Sequence, residues 1–140
     1  MDWVGFSCYG YLTPRDTWDP KPFRDTLDPA YRRVQKLAAG KPISVAEFGH
    51  ASGNPRQDAA EWTESALDDL LSGRWPHVIN ERWQNDDNPK HDTTMRLQDN
   101  GAMAEVFSKK LSEDAGELQT KPVIGPREGK ALAKFVQPFC

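Results

Sequence analysis

Two hydrophobic periods alternate along this chain, and their order predicts an architecture. "DWVGFSCYGY" is a continuous apolar run, predicting a strand over Trp3–Tyr9 that is buried on both faces. A polar, proline-rich loop over residues 10–27 follows, holding Trp18 and Phe23. Asp28 then suits a helix N-cap and Pro29 the first helical position. Tyr31, Val34, Leu37 and Ala38 share one face of that helix, and Gly40 closes it. "KPISVAEFG" predicts a second strand, Ile43–Phe48. Asp58, with Glu61 three residues on, resembles a capping box with Asp in place of Ser or Thr. It opens a helix with Trp62, Ala66, Leu67, Leu70 and Leu71 on its apolar face, ended by Gly73. "RWPHVI" predicts a short third strand, His77–Ile79. The polar stretch "NERWQNDDNPKHDTTMRLQD" separates it from a third helix over about Ala102–Leu111, with Met103, Val106, Phe107 and Leu111 inward. In the tail beyond, Val123 and Ile124 read as a stray strand.

Strand, helix, strand, helix, strand, helix is the order of a parallel α/β fold with right-handed crossovers. A strand-to-strand spacing of roughly 35 to 40 residues fits a (β/α)8 TIM barrel with lengthened βα loops. Three units cannot close eight strands, so the expectation is a partial barrel over residues 1–112 and a tail over 113–140. Such a sheet leaves edges and faces uncovered. The abrupt start on a strand adds the expectation that something precedes it.

Composition narrows the function classes. In 140 residues the net charge is -3, which favours neither nucleic acid nor an anionic membrane as partner. No run approaches a membrane span, and "MDWVGFSCYG" has no export-signal pattern. The mean hydropathy of -0.76, with 11 prolines and 10 glycines, predicts much loop. Cys8 and Cys140 suggest no disulfide framework, and Cys8 reads as a buried apolar filler.

Candidate chemistry gathers at strand ends. Glu47 finishes the second strand just before Gly49, where a parallel α/β fold places its active site. A carboxylate there can act as nucleophile or acid/base, or else as a structural ion-pair partner or cap. Tyr9 ends the first strand in the same way; between neighbouring strands its hydroxyl would hold the carboxylate in orientation. Tyr11, Trp18 and Trp83 fall in expected βα loops, where flat rings suit stacking on a sugar face or simply pack the loop. Trp3, Trp62 and Trp75 read as core. "NDDNPKHD", Asn85–Asp92, offers oxygen ligands to a hard cation but lacks the order of an EF-hand loop and reads better as a surface turn. No metal or cofactor is expected. His50 either lines the pocket or is a lone exposed histidine.

"DWVGFSCYGY", "GKPISVAEFGHASGN", "AAEWTESALDDL" and "NERWQNDDNPKHDTTMRLQD" together resemble the C-terminal part of glycoside hydrolase family 26, over roughly Asp2–Leu111. That family includes β-mannanases and related endo-glycanases. The shared features are a tryptophan-initiated strand ending in tyrosine, a "GKP" lead-in to an "AEFG" strand end, and a tryptophan on the next helix. The resemblance implies a (β/α)8 barrel and a retaining mechanism on a β-linked polysaccharide such as mannan or β-glucan. It implies that Glu47 is the nucleophile at the end of strand seven, that Tyr9 is the strand-six tyrosine touching it, and that Trp83 is near the strand-eight aromatic stacked on the sugar.

Two departures accompany it. Retaining hydrolysis needs two carboxyl groups about 5–5.5 Å apart. The family's acid/base glutamate lies on strand four, with no counterpart here. The last strand also looks shortened, "HVI" passing straight to "NERW". The expected function is therefore the C-terminal part of a retaining glycoside hydrolase, inactive alone, with an oligosaccharide or polysaccharide as partner. The alternatives are a non-catalytic carbohydrate-binding remnant and a truncated gene product without independent function. Relatives are typically exported, which leaves the compartment open.

Overall fold

The computed structural model describes residues 2–86, 92 and 94–120, with side chains as far as 113. Its elements are β1 (Val4–Tyr9), α1 (Phe23–Leu37), β2 (Ile43–Gly49), α2 (Ala59–Leu71), β3 (Val78–Trp83), a 3-10 turn (Leu97–Asp99) and α3 (Gly101–Thr120). The strands form a parallel sheet in the order β1-β2-β3. The fold is thus α/β, with helices interleaved between parallel strands.

All three helices lie on one face of that sheet. Phe48 on β2 meets Phe23 of α1 at a ring separation of 5.8 Å, and Phe23 meets Trp62 of α2 at 5.5 Å. Phe48 also meets Trp83 of β3 at 5.3 Å, and Trp83 meets Phe107 of α3 at 5.1 Å. Crossovers of one hand between neighbouring strands taken in sequence order place their helices on the same side. The core is this single layer, with Val45, Ala66, Leu67 and Met103 filling the space between the rings.

The opposite face is open. β1 alternates between covered and uncovered positions: Cys8 is buried, whereas Gly5 and Ser7 are exposed. The expectation of burial on both faces fails because, among the described residues, no helix or strand packs against the second one. Trp3, expected in the core, is for the same reason 56% exposed.

The N-cap half of the expected capping box of α2 is present: the Asp58 side chain accepts from the Glu61 amide at 2.9 Å. α1, by contrast, starts at Phe23 and not beyond Asp28. Phe23, Leu27 and Tyr31 recur four apart and are all buried, and this stripe outweighs the local start signal at Asp28. Pro29 then sits inside the helix and forgoes one bond, to the Asp25 carbonyl. Asp28 instead accepts the Trp75 indole N–H at 2.7 Å and lies within 3.7 Å of Arg32 and 3.6 Å of Arg74. Leu37, assigned to the inward face, is 78% exposed.

β3 runs on to Trp83, well beyond the expected end at Ile79. Its polar residues are tolerated because one side of the strand faces the open surface. α3 continues to Thr120, so the division expected after residue 112 falls inside a helix. Val123, Ile124 and Cys140 lie outside the described residues. Among the described residues, no helix is long and apolar enough to cross a membrane.

Candidate functional site

Strict alternation along β2 would send Glu47 to the helices and Phe48 to the open face. The strand avoids this with a bulge. Phe6 pairs with Val45, but the next residue, Ser7, pairs with Glu47, so Ala46 is the extra residue on β2. A bulge re-aims the side chains that follow it. Phe48 therefore enters the core at 1% exposure, while Glu47 turns to the open face, half-buried.

There the Tyr9 hydroxyl donates to Glu47 Oε2 at 2.6 Å, and Ser7 Oγ reaches the same oxygen more weakly, at 3.5 Å. A short phenol–carboxylate bond is the strong, charge-assisted kind. Burial above all pushes the Tyr9 phenol well above its ordinary titration range, and the bond to Glu47 and the charges of Glu47 and Asp86 push the same way. Tyr9 is therefore held as a neutral donor. Farther down the same face, Ser44 Oγ donates to Asn80 Oδ1, linking β2 to β3.

Two glycines let the strand ends come this close. Gly10 N–H donates to the Gly49 carbonyl at 3.0 Å, continuing the ladder one step past the strands. A Cβ on Gly10 would fall inside the His50 ring, and one on Gly49 would lie 2.8 Å from the Met95 sulfur.

Beside Tyr9 opens a cavity of about 530 Å³ between the β1–α1 loop and the start of the α2 segment, lined among others by Trp18, Asp19, Lys21, Thr26 and Gln57. The loop that forms it is pinned from behind. Asp16 accepts from the amides of Leu12 and Thr13, and Asn54 donates to the Asp16 carbonyl. The Trp62 indole and the Gln57 amide both donate to the Lys21 carbonyl, at 3.1 and 3.5 Å. Gln57 is in turn 3.1 Å from His50 Nε2.

The expected site residues divide accordingly. Glu47 and Tyr9 meet, because the bulge at Ala46 turns Glu47 to the face that Tyr9 occupies. Trp18 is 50% exposed at the cavity mouth. Tyr11 is 1% exposed, and its hydroxyl donates to the Trp18 carbonyl at 2.7 Å, so it supports the loop instead of presenting a platform. Trp83 is a strand residue, 4% exposed, whose indole donates to the Met95 carbonyl at 2.9 Å. Its ring lies with Phe48 on the helix side, opposite Glu47. His50 is buried, not exposed; burial lowers its pKa, against the opposing effect of its bonds to Gln57 and the Ala51 carbonyl.

Of "NDDNPKHD", residues 87–91 lie outside the described residues. Asn85 accepts from the Leu97 amide, and Asp92 pairs with Arg15 at 2.6 Å. Among the described residues no group of three or more acidic, histidine or cysteine side chains is arranged to hold a metal.

Ser7, Gln57 and Asp86 were not singled out from the sequence. Ser7 had a signal: it lies two before Tyr9 and so shares its face. The bulge had one too, since the large apolar residues Ile43, Val45 and Phe48 break the period of two. Asp86 and Gln57 sit in loops, where no period places them.

Compared with known proteins, the chain matches no family model and no curated protein.

Proposed function

We propose that the chain is the nucleophile-bearing C-terminal part of a retaining, β-mannanase-like (β/α)8 glycoside hydrolase, with Glu47 as the nucleophile. The observation that carries this reading is the 2.6 Å bond from Tyr9 to Glu47 on the uncovered face of the sheet. A barrel needs its strands' inward side chains to be polar near the catalytic end. At that end the uncovered face supplies Ser7, Tyr9 and Glu47. With Oε2 engaged by Tyr9, Oε1 would attack the anomeric carbon, while an acid on a strand this chain lacks would protonate the leaving oxygen. The resemblance to family 26 in "GKPISVAEFG" and in the strand ending at Tyr9 supports the same roles.

A substrate whose leaving group needs no acid tests the nucleophile directly. With 2-deoxy-2-fluoro-β-mannosyl fluoride, a Glu47 oxygen would bond to the anomeric carbon as the C–F bond breaks and fluoride departs. The expected result is one glycosyl adduct on the Glu47 peptide by mass spectrometry, absent in Glu47→Gln, and no turnover of mannan or β-glucan. An unlabelled Glu47 would sink the nucleophile role. Hydrolysis of polysaccharide by the chain alone, abolished by Glu47→Gln, would show a complete enzyme instead of a part of one.

The cavity at Trp18 favours a second reading, binding of carbohydrate without chemistry. In that case saccharide binding persists while Glu47 takes no label.

A further inference from the structure

The cavity beside Tyr9 has a built wall and an open one. Its built wall is the β1–α1 loop, whose backbone is held by one bond within the loop and by two from the β2–α2 loop and α2. Tyr11 donates to the Trp18 carbonyl, Asn54 to the Asp16 carbonyl, and Trp62 to the Lys21 carbonyl. The Tyr11 ring also packs against the Trp18 ring, 5.5 Å away and tilted by 52°. The Asn54 and Trp62 bonds come from residues outside the cavity lining. The indole of Trp18 is nonetheless half exposed, on the cavity side. A large aromatic surface left in water on a loop this firmly held is costly unless something covers it, and a fixed loop loses little entropy when it binds.

The lining specifies what would cover it. Asp19 and Lys21 contribute one charge of each sign, so no net charge is called for. Thr26 and Gln57, with a hydroxyl and an amide, bring donors and acceptors together. One flat apolar wall with mixed neutral hydrogen-bonding groups matches a polyhydroxylated ring, apolar on its C–H face and polar at its rim. A phosphate-bearing ligand would need an excess of cations that the lining lacks. The volume of about 530 Å³ falls within the ordinary range for small-molecule sites, about 300–1,000 Å³.

We infer that this cavity is a subsite for a neutral saccharide, with Trp18 as its stacking wall and Gln57 as a group that hydrogen-bonds its hydroxyls. The inference rests on the carbohydrate reading given above and extends it to residues away from Glu47. Gln57 is suited to the task because its amide is fixed between His50 Nε2 and the Lys21 carbonyl.

The test uses the full chain with β-1,4-mannotetraose and cellotetraose as probes, followed by the indole N–H signals in an NMR titration. The Trp18 signal is expected to shift, along with that of Trp62, which bonds to the loop. Those of Trp75 and Trp83, bonded to Asp28 and Met95 away from the cavity, should stay still. Calorimetry on variants gives the second readout. Trp18→Ala should weaken binding about tenfold, the scale of one aromatic contact. Gln57→Ala should weaken it severalfold, and Lys36→Ala, in the last turn of α1 and outside the lining, should change it less than about twofold. Thermal melting of each variant separates lost contacts from lost fold, and Trp18→Ala, at a half-exposed position, is the variant expected to fold normally. A silent Trp18 signal with both sugars at about 10 mM, well above a millimolar Kd, overturns the inference. So does binding that Trp18→Ala leaves unchanged. If Glu47 takes the glycosyl label while the cavity stays silent, the subsite fails and the nucleophile stands. If the cavity binds and Glu47 takes no label, the subsite stands and the nucleophile fails.

Discussion

The two faces of the sheet are made by the same three strands and have opposite characters. The covered face is a row of aromatic and aliphatic side chains, Cys8, Phe48 and Trp83 among them, each almost fully buried. The open face carries Ser7, Tyr9, Ser44, Glu47 and Asn80, joined by hydrogen bonds from strand to strand. Neighbouring residues on one strand therefore do different work: Phe48 holds the fold together, and Glu47, one peptide away, offers chemistry. The one-residue bulge at Ala46 makes that division, because without it the two would exchange faces.

The sharpest way to break the comparison is to truncate the covered face. Phe48 packs against Phe23 and Trp83, so Phe48→Ala loses its transfer energy and opens a cavity. The expected cost is about 3–5 kcal/mol, enough to unfold a marginal domain, as read from the urea midpoint. A loss under about 1 kcal/mol would mean that the helix layer is not what stabilises the sheet. Next in size is Gly10→Ala. The new methyl must displace the buried His50 ring, and about 1–3 kcal/mol of overpacking is expected. The same substitution at Gly40, where nothing lies within 4 Å of a Cβ, meets only the strain of a positive φ of 72° and serves as the reference.

The covered face also has a pH signature. Burial pushes the Cys8 thiol up to about 12 from an ordinary 9.0. The folded state holds the neutral thiol, and the unfolded state releases the proton first. The stabilisation is thus complete below about pH 9 and is lost as pH rises toward about 12, at up to about 1.4 kcal/mol per pH unit. Cys8→Ala should flatten the alkaline limb of the stability–pH curve. An unchanged limb would show that Cys8 is not the group responsible.

Much of this was legible in the sequence, and the failures share a cause. The α2 cap and the β2 strand follow from local signals, Asp58 with Glu61 and an apolar run, whereas the meeting of Tyr9 with Glu47 needs the bulge as well as two neighbouring strand ends. Errors arose where burial depended on what the rest of the molecule covers. Trp3 was assigned to the core because apolar strand residues usually are, yet no layer of the described residues covers its side. Trp83 was assigned to a loop because "NERW" is polar, yet β3 lies at the edge of the described sheet, where Asn80 and Arg82 are exposed and the strand still runs on to the buried Trp83. The start of α1 was set by Asp28 and Pro29, although Phe23 and Leu27 extend the buried stripe by nearly two turns. Local chemistry reads caps and strand ends well; it cannot count layers.

The smallest expected effect on stability belongs to the open face, and it comes with the most specific signal. Glu47→Gln keeps an oxygen for the Tyr9 hydroxyl to bond to and sits on the uncovered face, so stability should change by about 0.5 kcal/mol or less. The phenol itself should respond. Burial, the largest cause of its upward shift, is unchanged by the substitution, but the carboxylate charge and the charge-assisted bond are lost. Of the three tyrosines, one should therefore titrate at lower pH in Glu47→Gln than in the parent, as followed by tyrosinate absorbance. Tyr9→Phe should remove that one transition. If Glu47→Gln leaves all three transitions unmoved, the phenol–carboxylate pair is not coupled as the 2.6 Å contact requires. The open face would then lose its claim to an organised site, whatever the covered face does for the fold.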